Sequence, residues 1–114
     1  MNKFPAFACT KKNLVEKSPD ESVAGYLFKG QDNTQIVFWE APEGGTVEEH
    51  SHDFWEWAII VEGEFHGMVG GKEVHMKRGD ECIIPPGVLH SGSFSKNYRA
   101  IDAFSQERVK WHQK

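Results

Sequence analysis

The chain has 114 residues and a formal charge of −4, so it is sized for one domain and lacks the basic footprint of a nucleic-acid binder. No stretch is long and apolar enough for a membrane-spanning helix, and residues 1–9 carry too short an apolar run for a secretion signal. Four tryptophans and eight phenylalanines supply enough aromatic area for a dense core, whereas two cysteines, Cys9 and Cys82, are no disulfide framework; cytoplasmic residence is the expectation.

Residues 1–20 are lysine-rich and weakly patterned, and read as an N-terminal arm. Strands are expected near residues 26–29, 34–40, 46–52, 55–62, 64–69, 72–77, 81–84, 89–94 and 98–104, from alternating or continuous apolar runs. Glu62-Gly63, Gly70-Gly71, Arg78-Gly79-Asp80 and Pro85-Pro86-Gly87 mark turns at close intervals. Nothing reads as a long helix, and the polar residues 105–114 read as a tail. The expectation is an all-β barrel or sandwich over the whole chain, 1–114, with its core at about 34–104. Trp55 and Trp57 flank Glu56 on the opposite strand face and suit packing between sheets or against a second subunit. Cys82 alternates into an apolar strand as a small core residue.

His50, His52, Glu56 and His90 carry the chemistry. Three imidazoles and a carboxylate are a complete donor set for one divalent transition metal, with iron, manganese, nickel and zinc all admissible. His50 and His52, two apart on an extended chain, point to one face. Glu56 opens the next strand after a short turn, and His90 follows a proline corner. Four protein donors leave open positions on an ion that takes six, which suits substrate binding more than a structural role. His66, His75 and His112 match no ligand spacing and read as structural or solvated.

The segment Gly44-x5-His50-x-His52-x3-Glu56-x6-Gly63 resembles the first cupin motif, and Gly79-x5-Pro85-x-Gly87-x2-His90 the second. The chain departs only at Phe94, where the family often has asparagine, a position that is not a ligand. The resemblance implies a small double-stranded β-helix, the jelly-roll barrel of the cupins, with a metal in its mouth held by the four residues above. It also implies a homodimer.

On the last strand Tyr98, Ala100, Asp102 and Phe104 share a face, and Arg108 follows four residues later. The pattern Asp102-x-Phe104-x3-Arg108 resembles the small cupins of pectin degradation, which ketonise an unsaturated sugar acid. That resemblance implies catalytic roles: Asp102 moves a proton, Arg108 clamps the substrate carboxylate and Phe104 shapes the pocket. That group commonly has glutamine where this chain has Glu56. The expected function is enolisation or ketonisation of a small sugar acid or hydroxy/keto acid. The alternatives are an iron or manganese dioxygenase and a non-catalytic, metal-dependent binding module for a small ligand.

Overall fold

The computed structural model describes residues 3–10, 14–17 and 23–106. Its strands are β1 (Leu14–Lys17), β2 (Ala24–Lys29), β3 (Gln35–Ala41), β4 (Gly45–His50), β5 (Glu56–Glu62), β6 (Glu64–Val69), β7 (Lys72–Lys77), β8 (Glu81–Ile84), β9 (His90–Phe94) and β10 (Tyr98–Phe104). Among the described residues the only helical elements are two 3-10 turns, Ala6–Ala8 and Gln31–Asn33, and no helix is long and apolar enough to cross a membrane.

Two antiparallel sheets form the molecule, in the orders β1-β2-β3-β10-β5-β8 and β4-β9-β6-β7. The pairs β3·β10, β4·β9, β5·β8 and β6·β7 are nested like one long hairpin rolled up on itself. From β3 onwards, successive strands therefore alternate between the two sheets, apart from the tight β6–β7 hairpin. This is the jelly roll of the cupin fold, and alternation along each strand sets its inner and outer faces.

The expected strands all occur, with ends moved by one or two residues. At the site end the expected run 46–52 stops at His50. β1 lies in the arm that showed no pattern. Its four residues, Leu-Val-Glu-Lys, hold no repeat of alternation, and its pairing with β2 shifts register between Leu14 and Glu16.

Two clusters fill the interior. Leu27, Val37 and Phe104 pack with Trp39 and Phe54 at one end, and Ala41, Ile60, Tyr98 and Ala100 with Phe65, Met76 and Phe94 at the other. Phe104, Leu27 and Ile60 are among the largest fully buried side chains, and burial of each contributes roughly 2 kcal/mol. Gly63 joins β5 to β6 with φ of 83°, and a Cβ there would lie 3.0 Å from the Tyr98 Cα. Both facts require glycine at this corner.

The N-terminal residues lie across part of the outer face of the larger sheet. The Phe4 ring meets Phe38 at 4.9 Å, and its N–H donates to the buried Glu40 carboxylate at 2.7 Å. Arg99 donates from Nε to Glu62 at 3.0 Å and from Nη1 to the Lys3 carbonyl at 2.9 Å. Its guanidinium sits 5.1 Å from the Phe4 ring centroid. Burial pushes the Cys9 thiol pKa up, and its neighbour Glu40 pushes it further.

Candidate metal centre

His50 and His90 face each other across the β4·β9 ladder. They do so because of an irregularity. Val47 pairs with Gly92 and His50 with His90, so β4 spends three steps where β9 spends two. The extra residue is a bulge, which moves the pleat on by one. His50 thus takes the inward position, and Glu49 stays exposed. His52 lies beyond the strand, in the loop to β5, so the simple two-residue strand spacing does not explain how the pair converges. Bulge and loop together do.

Hydrogen bonds hold that loop. The Gly87 N–H donates to the His52 carbonyl at 2.8 Å and ties the two histidine-bearing segments together. Ser105 receives the Trp55 N–H on its Oγ and donates its own N–H to the Trp55 carbonyl, both at 3.0 Å. The Phe54 ring stacks on His52, with centroids 4.1 Å apart and planes 2° apart, and meets Phe104 edge-on at 5.9 Å.

The three imidazoles share one orientation device. Nδ1 of His50 lies 2.8 Å from the Glu48 carbonyl, Nδ1 of His52 3.1 Å from that of Phe54, and Nδ1 of His90 2.9 Å from that of Val88. A carbonyl only accepts, so each Nδ1 carries the proton and each Nε2 turns towards the others. One ligand atom from each ring can be chosen so that all three lie within 4.8 Å of one another. The Glu56 carboxylate opens β5 and is 9% exposed. Its Oε1 sits 2.9 Å from His52 Nε2 and 3.7 Å from His90 Nε2. Burial lowers the His90 pKa, outweighing the carbonyl of Val88, so this ring is neutral and ready to ligate at pH 7. Both nitrogens of His52 face acceptors, which a proton on Nε2 satisfies and a cation between Nε2 and the carboxylate satisfies equally. The donor set therefore fits a divalent transition metal, and its identity is open.

Beside the histidines lies a cavity of about 310 Å³. Its wall includes His50, Glu56, His90 and Asp102, with Trp39, Ile60, Phe65, Met76 and Phe94 supplying apolar surface. Tyr98 and Cys82 also line it. Burial raises both their pKa values, with the carboxylates of Asp102 and Glu56 adding to the effect. Both groups therefore stay protonated at neutral pH. Cys82 is a half-buried wall residue rather than a core one.

Asp102 thus borders the same cavity as His50 and His90. Phe104 lies in the core cluster with Leu27 and Val37, and touches the site through Phe54. Arg108 and His112 lie outside the described residues. Sequence reasoning missed Phe54, Ser105 and the three orienting carbonyls. Backbone acceptors leave no trace in side-chain spacing, although Phe54 stood inside the motif. It also missed a second cluster, in which Glu64, His66 and His75 come together on the outer face of the smaller sheet.

Comparison with known proteins agrees with this architecture. No curated protein matches the chain. Among solved structures, an RmlC-like cupin from Shewanella frigidimarina NCIMB 400 is similar with a TM-score of 0.74 and 23% identity, covering 95% of this chain and 96% of that one. KdgF from Halomonas sp. is similar with a TM-score of 0.73 and 18% identity, over 83% of this chain and 86% of that one. Oxalate decarboxylase from Bacillus subtilis, in a study of its Mn(II) centres, has a TM-score of 0.68 and 17% identity; the match covers 85% of this chain and 28% of the larger protein. At such identities these likenesses establish the fold alone. The cupin-domain family model matches residues 37–98, more than half the chain and both motifs' ligand positions. On that match and on the nested jelly roll, the chain belongs to the cupin family.

Proposed function

We propose that the protein is a metal-dependent enzyme that enolises or ketonises a small sugar acid or hydroxy/keto acid. The observation that carries this reading is the meeting, in one cavity, of His50, Glu56 and His90 with Asp102, while His52 groups with the other two histidines. The cavity volume, about 310 Å³, suits a small substrate. His50, His52, Glu56 and His90 would hold the ion. When bound, a divalent metal supplies Lewis acidity, which lowers the cost of negative charge on a substrate oxygen.

The chain's own groups do the rest. Ketonisation removes a proton from an enol oxygen and places one on the far carbon of the double bond, the one that does not bear the oxygen. Asp102 carries that proton, because Tyr98 and Cys82 are held in their protonated forms by burial and do not compete as bases. The apolar wall limits water around the reacting carbon. Arg108 clamps the substrate carboxylate through paired hydrogen bonds. Phe104 acts as a positioning residue, through Phe54, on the His52 ring. Cys9 and Cys82 are free thiols, which suits our placement of the protein in the reducing cytoplasm.

Asp102→Asn tests the reading. It keeps the side-chain volume and removes the proton carrier. We expect turnover of an unsaturated uronate to fall by about 10²–10⁴-fold, with metal content by elemental analysis unchanged. Unaltered turnover removes Asp102 from the mechanism. The set of three imidazoles and one carboxylate also favours a second reading, an iron or manganese dioxygenase; oxygen consumption by iron-loaded protein given a diol or thiol substrate is its test. Stoichiometric sugar-acid binding without turnover would identify a binding module instead.

A further inference from the structure

We infer that Glu64, His66 and His75 form a second, peripheral site for a borderline divalent cation such as Zn²⁺, on the outer face of the β6–β7 hairpin and separate from the barrel. Register brings these residues together. His66 and His75 are direct partners across the β6·β7 ladder, and Glu64 is two residues before His66, on the same outward face. The His75 Nε2 lies 2.7 Å from Glu64 Oε1, and the His66 Nε2 3.6 Å from the same oxygen. The two rings stack with centroids 3.9 Å apart and planes 18° apart. One ligand atom from each of the three side chains can be taken within 4.8 Å of the others.

The chemistry selects the class of ion. Two imidazole nitrogens and one carboxylate oxygen are the donors that zinc, copper and nickel prefer, and calcium or magnesium would want more oxygens. The Glu64 carboxylate already turns towards His75, whose Nε2 lies in hydrogen-bond contact with it. All three side chains are about half exposed, at 48%, 60% and 47% for Glu64, His66 and His75. Solvent therefore completes the shell, and the ion enters directly from solution without passing through the barrel. That distinguishes it from an ion held among His50, His52 and His90, on the inner side of the sheet.

Zinc titration of metal-stripped protein by calorimetry, with elemental analysis after gel filtration, tests the site. His75→Ala and His66→Ala are expected to bind one zinc equivalent fewer per chain than wild type, or to bind it about 10–100-fold more weakly, at least the loss seen on removing a group that merely orients a ligand. Glu64→Gln should weaken the same event by a smaller factor. Glu73→Gln removes an exposed acid of β7 that is not in the cluster and should leave zinc binding unchanged. Equal stoichiometry and affinity in wild type and both histidine variants overturn the proposal. So does a loss in Glu73→Gln as large as that in His75→Ala, which would show diffuse charge attraction. Circular dichroism of each variant checks that the exposed substitutions leave the fold intact.

Discussion

Each inward-facing imidazole is aimed by a backbone carbonyl two residues away, Glu48 for His50, Phe54 for His52 and Val88 for His90. The rings are thus oriented by local chain geometry. Only the meeting of three separate segments needs the whole fold. Tyr98 shows the opposite dependence. Its phenol is placed by tertiary burial, and that burial, with Asp102 and Glu56 nearby, holds its pKa well above that of a free phenol. Tyr26, half-buried beside Glu40, is raised for the same reasons. A group whose folded pKa is raised contributes stability that is fully present below its unfolded pKa and is lost as pH climbs through the folded one. Stability should therefore be insensitive to these phenols up to pH 10 and decline above it. Since Tyr26 and Tyr98 are the two tyrosines of the chain, absorbance at 295 nm should show no tyrosinate step with a midpoint near 10 in the native protein. A full step there, with the far-ultraviolet spectrum still native, would contradict the burial of Tyr98.

At the level of elements, nearly every strand was legible because its alternation survives on both faces of a two-layer fold. β5 was legible instead as the continuous apolar run Trp57 to Val61, which places apolar side chains on both faces, Ala58 and Ile60 inward and Trp57 and Ile59 outward. β1 was not legible, since its apolar run stops at Leu14-Val15 and two charged residues follow, unlike the equally short β8, which runs Cys82-Ile83-Ile84. The bulge in β4 was not legible either, and it decides that His50 rather than Glu49 faces the cavity. Ligand spacing therefore picked out three histidines that do come together, while the reason they converge lay in a backbone irregularity with no side-chain signature. The Glu64–His66–His75 cluster escaped for a related reason. Its histidines are nine residues apart in sequence and become neighbours only through the β6·β7 register. Among the corners, Gly63 makes the clearest demand. Gly63→Ala would place a methyl 2.9 Å from Ser95 Oγ in a backbone conformation with φ of 83°. The strained conformation alone costs about 1–3 kcal/mol, and the contact adds to it. Urea denaturation should show a midpoint lowered accordingly with an unchanged slope. A midpoint equal to wild type would mean that the β5–β6 corner can relax without disturbing the strand after it.

Among the described residues, a row of apolar side chains lies exposed on the larger sheet. Register lines up Ile36, Ala103, Trp57 and Ile83 across β3, β10, β5 and β8 on the outer face of the larger sheet. Ile36, Trp57 and Ile83 are 43%, 40% and 54% exposed, and Ile59 and Trp55 lie next to them, the latter stacked on Trp57 at 6.2 Å. The N-terminal residues cover the neighbouring region around Phe38 and Glu40, and no other described residue covers the rest of the row. A contiguous row of large apolar side chains is what an interface between copies requires, since scattered exposed apolar residues would not bury one another. We therefore expect a homodimer formed through this face, with light scattering at micromolar concentration giving twice the monomer mass. A central tryptophan in such an interface is worth about 2 kcal/mol or more, so Trp57→Lys should weaken dimerisation by roughly 30-fold or more and yield monomers at the same concentration. Met68→Lys, an equally exposed apolar site on the other sheet, should leave the dimer intact. A monomeric wild type, or a dimer indifferent to Trp57→Lys, would assign the row some other partner than a second copy of the chain.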